Sequence, residues 1–484
     1  MIDLAQLVYL LIYCALPVIS EIIANKFPYA PTSGQSYAFK LFDQLLEKNS
    51  KTRDCILIKG YAGTGKTTLI SALTEVLPLF NLKYLQMAPT GRAAKVMSSY
   101  SQKPAYTIHK IIYKRKVDAE SGEVAFSKSK NYNKDTVFII DEASMISDNS
   151  GINSQNLIRD LVDYIYQNPG NKMLIIGDAA QLPPVGSSNS PALDSDFMAF
   201  QFNLSIKSIE LTEVVRQEQL SGILENATRL RDLIKNDLQD ILFDTKPFKD
   251  IYRINAVKLE DGIRYAYNKY GVENSTIICR SNWQAVQYNQ LVRRNILFYD
   301  EELEAGDIIM VVKNNYFYLE PDSDAGFIAN GDFLEIKKIV DFEEKYGFRF
   351  ATLSVKLVDY PAIPSFDVKV ILDTLYSNAP ALSQEENKRL YNETSADVMK
   401  AHGKKNYRAA LQGHEYLNAL QIKFAYALTC HKSQGGQWDI VFLDQGIRGD
   451  AEIDSDYTKW LYTAVTRASN ELYLVNFEDR FFKK

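Results

Sequence analysis

Short, almost wholly apolar runs recur along this chain at residues 55–58, 83–87, 136–140, 173–176, 276–279, 440–443 and 472–475, with helix-compatible stretches between them. Runs of that length, rich in Val, Ile and Leu, predict strands buried on both faces, and their alternation with helices predicts parallel sheets covered by helices. They fall into an N-terminal and a C-terminal group, which implies two α/β domains. Ahead of the first run, Thr32 is placed to cap a helix extending to about residue 48. Between 301 and 360 the pattern changes to short β-like runs at 307–313, 316–319, 332–340 and 349–357, punctuated by Asn314-Asn315 and Asn330-Gly331. This predicts a small antiparallel barrel. Residues 383–417 read as helical and polar. The β-compatible runs 111–117 and 124–127 flank a polar stretch, 118–123, containing Gly122, and predict a hairpin, with a plain surface loop as the alternative. There is no internal repeat and no low-complexity tract.

The resulting division is an extension at 1–26, a first α/β domain at 27–205 with the hairpin inserted at about 107–130, and a second α/β domain split into 206–300 and 418–484 by the barrel and polar helix of 301–417. The extension contains an uncharged, mainly apolar segment, Leu4 to Ser20, interrupted by Pro17 and preceded by Asp3. It falls short of the roughly 20 residues a membrane span needs and lacks the basic start of a signal peptide. A helix packed on the body is favoured over a membrane anchor.

At 484 residues, 46% hydrophobic and 24% charged, the composition is that of an ordinary globular protein. The net charge of −5 gives no support for a nucleic-acid partner, but its distribution does. From Val76 to Val117 there is no Asp or Glu, while eight Lys and Arg residues fall there, and Lys400, Lys404, Lys405 and Arg408 form a second cluster. Such local basic surface suits a polyanion groove, with a solvated charged face as the plainer alternative. The four cysteines and four histidines are dispersed, which argues against a disulfide framework or a zinc site.

The segment Gly60-Tyr61-Ala62-Gly63-Thr64-Gly65-Lys66-Thr67, followed by Thr68, matches the phosphate-binding pattern GxxxxGK[ST] directly after a strand-like run. Its glycines let successive N–H groups converge on phosphate oxygens at a helix N-terminus. Lys66 can reach the β- and γ-phosphates, and the Thr67 hydroxyl can bind Mg²⁺. The chain is therefore expected to bind a nucleoside triphosphate. The run 136–140 ends in Asp141-Glu142, a pair suited to holding Mg²⁺ (Asp141) and polarising an attacking water (Glu142). The stretch Ile176 to Val185 repeats the arrangement of strand and polar exit, with Gln181 placed to sense a γ-phosphate.

Together these stretches resemble the superfamily 1 helicases, in particular the RecD/Dda-like branch called 1B. In family order stand Pro31–Gln35, Gly60–Thr67, Ala88–Lys95, Thr107–His109, Asp141–Met145, Gly177–Val185, Leu211–Gln217, Tyr426–Gly435 and Tyr462–Ala468. The resemblance implies two RecA-like P-loop motor domains with a small β-hairpin insertion and an SH3-like β-barrel insertion. It implies that Gln35 contacts adenine, that Lys66, Thr67, Asp141, Glu142 and Gln181 carry the phosphate chemistry with ATP and Mg²⁺, and that Arg216 and Arg467 act as arginine fingers. It maps strand contacts onto Pro89, Thr90, His109, Thr429, His431 and Lys432, groups suited to sugar and phosphate rather than to base edges.

The expected activity is an ATP-dependent DNA helicase moving 5′→3′ on single-stranded DNA and parting duplex junctions. A DNA-stimulated ATPase switch that remodels protein–nucleic acid complexes is the alternative. A cytoplasmic monomer without stable membrane association is expected, with single-strand-binding or repair proteins as candidate partners.

Overall fold

The computed structural model describes residues 18–46, 52–117, 124–148, 156–215, 221–320, 323–446 and 453–483. Most of the apolar Leu4–Ser20 segment, the hairpin tip 118–123 and Arg216 lie outside the described residues. No helix among those described is long and apolar enough to cross a membrane.

In chain order the first domain carries β1 (Asp54–Gly60), β2 (Lys83–Ala88), β3 (Ala105–Thr107), the hairpin pair β4 (Tyr113–Val117) and β5 (Val124–Lys128), β6 (Thr136–Ile140), β7 (Lys172–Gly177) and β8 (Ser205–Leu211). Six of these form one parallel sheet in the order β3-β2-β6-β7-β1-β8. Strands β6 and β7 are buried at every position, as strands covered on both faces must be. The Thr32 cap holds: its hydroxyl accepts from Gln35 N while Gln35 caps the Thr32 N–H in return, and the helix runs Ser33–Leu45. A preceding helix, Ile19–Lys26, buries Ile19 and Ile23 against Phe39, Phe42 and Leu73.

The second domain is a five-stranded parallel sheet, β9 (Ile251–Ile254), β10 (Ser275–Cys279), β16 (Ala427–Thr429), β17 (Trp438–Asp444) and β18 (Ala468–Val475), ordered β16-β10-β17-β18-β9. Between its halves β11 (Ile308–Val311), β12 (Phe333–Lys345), β13 (Phe348–Leu357), β14 (Phe366–Ile371) and β15 (Leu420–Phe424) close into a barrel. Arg293 seats the barrel on its domain, pairing with both carboxylate oxygens of buried Asp307 at 2.9 Å and lying over the Phe424 ring. A polar helix, Gln384–Gln412, breaks at Gly403, whose φ of 62 lies in the region glycine adopts without strain.

Several expectations need correction. Strand β8 spans 205–211 and pairs with β1 in the first sheet, so the first domain extends past residue 205. This edge strand is largely exposed, so its sequence carries no buried run to betray it. The barrel closes with β15, beyond residue 417, and it does so through a parallel seam with β14, whereas a wholly antiparallel barrel was expected. Residues 316–319 form no strand, because Asn315 makes only an isolated bridge to Ile328. The hairpin arms pair antiparallel from Tyr113–Lys128 to Val117–Val124. Its base is pinned where Tyr113 donates to Asp160 and Lys128 pairs with Asp160 and Asp163.

Candidate functional site

Between the two parallel sheets lies a cleft of about 570 Å³ lined by Gln35, Lys66, Thr67, Thr68, Asp141, Glu142, Gln181 and Arg467. Its floor is the turn between β1 and the helix Lys66–Val76. Gly65 caps that helix at φ 80, and a Cβ there would stand 2.5 Å from the Gln35 amide nitrogen, so the position requires glycine on two counts. Gln35 is buried with its amide already engaged: Oε1 accepts from Thr32 N at 2.9 Å and Nε2 donates to Thr64 O at 3.0 Å. It therefore buttresses the phosphate loop from below. Lys66 folds back on that loop, donating to the carbonyls of Gly60 at 2.6 Å and Tyr61 at 2.9 Å.

The strand ends above the floor supply the acids. Asp141 accepts from the Tyr100 hydroxyl at 2.6 Å through Oδ2 and from Glu142 N at 2.8 Å through Oδ1. Glu142 stands at φ 51, a left-handed conformation that costs a non-glycine residue free energy and recurs at functional sites. Burial pushes both carboxyls above their ordinary range, against the opposing pull of Lys66 on each and of Arg467 on Glu142. Asp178, at the end of β7, is likewise raised by burial. Gln181 is buried and its Oε1 has no hydrogen-bond partner, an acceptor held ready within the cleft.

Arg467 reaches this cleft from the second domain and is itself buried. Its guanidinium donates to Thr463 O, Gly436 O and the Thr466 hydroxyl at 3.0 to 3.2 Å. The backbone leading to Arg216 also meets the floor, where Val215 N donates to Gly63 O at 3.0 Å. Among the described residues no group of three or more His, Cys, Asp or Glu could hold a metal alone. Thr67 and Asp141 line the same cleft, and their oxygen donors suit a hard divalent ion whose remaining ligands nucleotide oxygens would supply.

Of the residues mapped as strand contacts, Lys432 and His109 lie against the segment 315–330 between the barrel strands. Thr90 caps the helix Gly91–Ser101, and Gly435 approaches so closely that a Cβ would stand 3.1 Å from the Thr90 hydroxyl and 2.8 Å from Ala93. Lys432 donates to Asn330 Oδ1 at 2.6 Å, and burial lowers its pKa to about 8. Burial also lowers the pKa values of His109 and His431. Pro89 precedes the capping Thr90, and Thr429 precedes the short helix Cys430–Ser433. The Lys404 and Lys405 side chains lie outside what the structure describes.

Sequence reasoning missed the groups that join the elements. Tyr100 supports Asp141, and Tyr462 crosses the cleft: its hydroxyl accepts from Ala62 N at 3.0 Å and donates to Asp178 Oδ2 at 2.6 Å. Arg231 lies over the Tyr61 ring at 4.9 Å. Asp178 and Tyr462 did stand inside recognised stretches, and the signal available was their position at a strand exit and beside Thr463–Arg467.

A family model described as an AAA domain matches residues 42–239, and one described as a UvrD-like helicase C-terminal domain matches residues 424–475. The chain is 25% identical to the uncharacterized protein R530 of Acanthamoeba polyphaga mimivirus, covering 91% of this chain and 98% of that one. It is 23% identical to the ATP-dependent RecD2 DNA helicase of Deinococcus radiodurans over 88% of this chain and 46% of the relative. It is 26% identical to the ATP-dependent DNA helicase dda of Enterobacteria phage T4 over 58% and 60% of the two chains. The chain thus spans less than two thirds of the length of either named helicase. Among solved structures it is similar to a Bacteroides Pif1 helicase in complex with ADP-AlF3 and single-stranded DNA, at 15% identity, 94% coverage of each chain and a TM-score of 0.46.

Proposed function

We propose that this chain is a helicase of superfamily 1B that uses the cleft between its two α/β domains to hydrolyse ATP, moves 5′→3′ along single-stranded DNA and parts a duplex ahead of it, a reading supported by its similarity to an AAA domain, a UvrD-like helicase C-terminal domain and two DNA helicases. The observation that carries this reading is the meeting of charges across the cleft. Lys66 and the acids Asp141 and Glu142 come from one domain, and Arg467 comes from the other.

Phosphoryl transfer needs little covalent help from a protein and much positioning and positive charge. Lys66 would exchange the Gly60 and Tyr61 carbonyls for the β- and γ-phosphates. Arg467 would exchange the Gly436 carbonyl for the γ-phosphate, which draws the second domain inward. Glu142 would take a proton from the attacking water, and the unpartnered Oε1 of Gln181 would orient that water by accepting its other hydrogen. Thr67 and Asp141 would hold Mg²⁺, which supplies charge neutralisation on the β,γ-oxygens. On the barrel side, Pro89, Thr90, His109, Thr429, His431 and Lys432 would contact the strand through its backbone, as a motor indifferent to sequence requires.

The test is steady-state ATPase with and without an oligo-dT strand. The reading expects a steep rise in turnover with the strand present. A rate independent of single-stranded DNA would overturn it.

A further inference from the structure

Tyr462 is almost wholly buried on the helix Ser455–Val465 of the second domain, yet both partners of its hydroxyl belong to the first. Another buried tyrosine of the same helix, Tyr457, finds its partner at home, donating to Gln445 O at 2.8 Å. Burial alone therefore does not explain where the Tyr462 hydroxyl goes. The direction of both bonds is chemically fixed while Asp178 is ionised, since an amide N–H can only donate and a carboxylate can only accept. Ala62 lies within the phosphate loop, two residues past Gly60. Asp178 is the root of the loop that carries Gln181, with its other oxygen accepting from Ala180 N at 2.9 Å. The next residue of the helix, Thr463, accepts from Leu182 N at 2.8 Å, and Gln434 donates to Leu182 O at 2.8 Å. The residue following Gln181 is therefore held on both its backbone groups by the second domain.

We propose that Tyr462 is a positioning residue for ATP hydrolysis: its hydroxyl locks the phosphate loop and the Gln181 loop into one register and passes the stance of the second motor domain to both. The inference rests on the ATPase reading above. When a bound strand shifts the second domain, the helix 455–465 moves with it. The Ala62 amide and the Asp178 carboxylate then move together or not at all, so the water-orienting acceptor of Gln181 stays aligned with the phosphates held at Lys66. Without the hydroxyl, nucleotide still binds, because none of the groups that grip phosphate is removed, but turnover loses its coupling to the second domain.

The experiment is Tyr462→Phe in the full chain, which keeps the ring and its packing. DNA-stimulated kcat should fall by about 10- to 100-fold, the span a lost charge-assisted hydrogen bond covers. KM for ATP and the Kd of a fluorescent ATP analogue should stay within about threefold, and Tm should hold. Asp178→Ala should lower kcat similarly, and the double variant should be no worse than the poorer single one, because both remove one shared contact. Unchanged kcat in Tyr462→Phe, a fall in Tm with kcat intact, or losses that multiply in the double variant would each overturn the proposal. Wild-type protein lacking ATP turnover would instead remove the reading on which it rests.

Discussion

Lys95 Nζ lies 2.8 Å from Asp359 Oδ1, joining the helix Gly91–Ser101 of the first α/β domain to the barrel. Two more lysines end on the barrel: Lys432 on Asn330, and Lys110 on the carbonyls of Ser323 and Asp324 at 2.8 and 2.5 Å. Basic groups of the stretches proposed to bind a strand are thus satisfied by barrel oxygens. The second carboxylate oxygen of Asp359 is buried without a hydrogen-bond partner. Asp359→Asn should tighten binding to oligo-dT by about three- to tenfold at low salt, and steepen the salt dependence by about 0.7 per phosphate newly engaged. Fluorescence anisotropy across a salt series measures both. Weaker binding would mean that the pair builds the strand path instead of competing with the strand.

Beside that pair, Asp332 accepts from Ala329 N at 2.7 Å through Oδ2, while Oδ1 is buried without a partner. Arg92, lying over the Phe333 and Trp438 rings, and Lys95 provide the nearby positive charge, with Asp359 and Tyr360 the neighbouring acidic groups. Burial first, and Asp359 second, push the Asp332 carboxyl up to about 7 from an ordinary 3.8. A carboxyl raised on folding favours the protonated folded state, so its stabilisation is full below the ordinary value and is lost as pH rises through about 7. Urea unfolding should therefore show stability falling between about pH 4 and pH 7 from this group. Asp332→Asn, which stays neutral and still accepts from Ala329, should flatten that part of the profile. A variant that keeps the wild-type slope would place the titration elsewhere.

The cleft chemistry separates binding from hydrolysis. Lys66→Ala should abolish measurable ATP turnover, because the phosphates lose their mobile positive charge. Glu142→Gln should leave nucleotide affinity near wild type while slowing turnover by about 10²- to 10⁴-fold, the range of a general base. Single-turnover hydrolysis beside equilibrium nucleotide binding resolves the two. Hydrolysis at the wild-type rate in the Glu142 variant would remove its assignment as base.

Arg467→Ala should lower kcat by at least about 10³-fold with a smaller effect on ATP affinity, as expected of an arginine finger. The same change deprives Glu142 of the cation that opposes its burial, so its carboxyl should move further upward and shift the acid limb of the pH–rate profile to higher pH. A purely structural arginine would lower Tm and leave kcat and the profile in place.

What could be read from the sequence divides along physical lines. Strands β1, β6, β7, β10 and β17 announce themselves because both of their faces are covered, which forces apolar runs, and β2 and β18 do so through their buried C-terminal halves. Strands β3 and β16 are three residues long, and β8 is an exposed edge, so none carries such a run. Strand β15 is fully buried and looks like a sheet strand, yet it closes the barrel, because burial pattern alone cannot tell one core from another. The phosphate loop was legible because its function depends on residue types at fixed spacing. The contact between Tyr462 and Asp178 spans 284 positions and leaves no local pattern, so only the folded chain reveals it.

Whether ATP turnover in this cleft drives 5′→3′ unwinding, as proposed, is decided by strand displacement on duplexes carrying either a 5′ or a 3′ single-stranded tail. With wild-type protein, ATP and Mg²⁺, the 5′-tailed duplex should be separated and the 3′-tailed one left intact, and Lys66→Ala should separate neither. Displacement confined to the 3′-tailed substrate would contradict the direction, and strand-stimulated ATPase with neither duplex opened would contradict the helicase reading in favour of a nucleotide-driven remodelling switch.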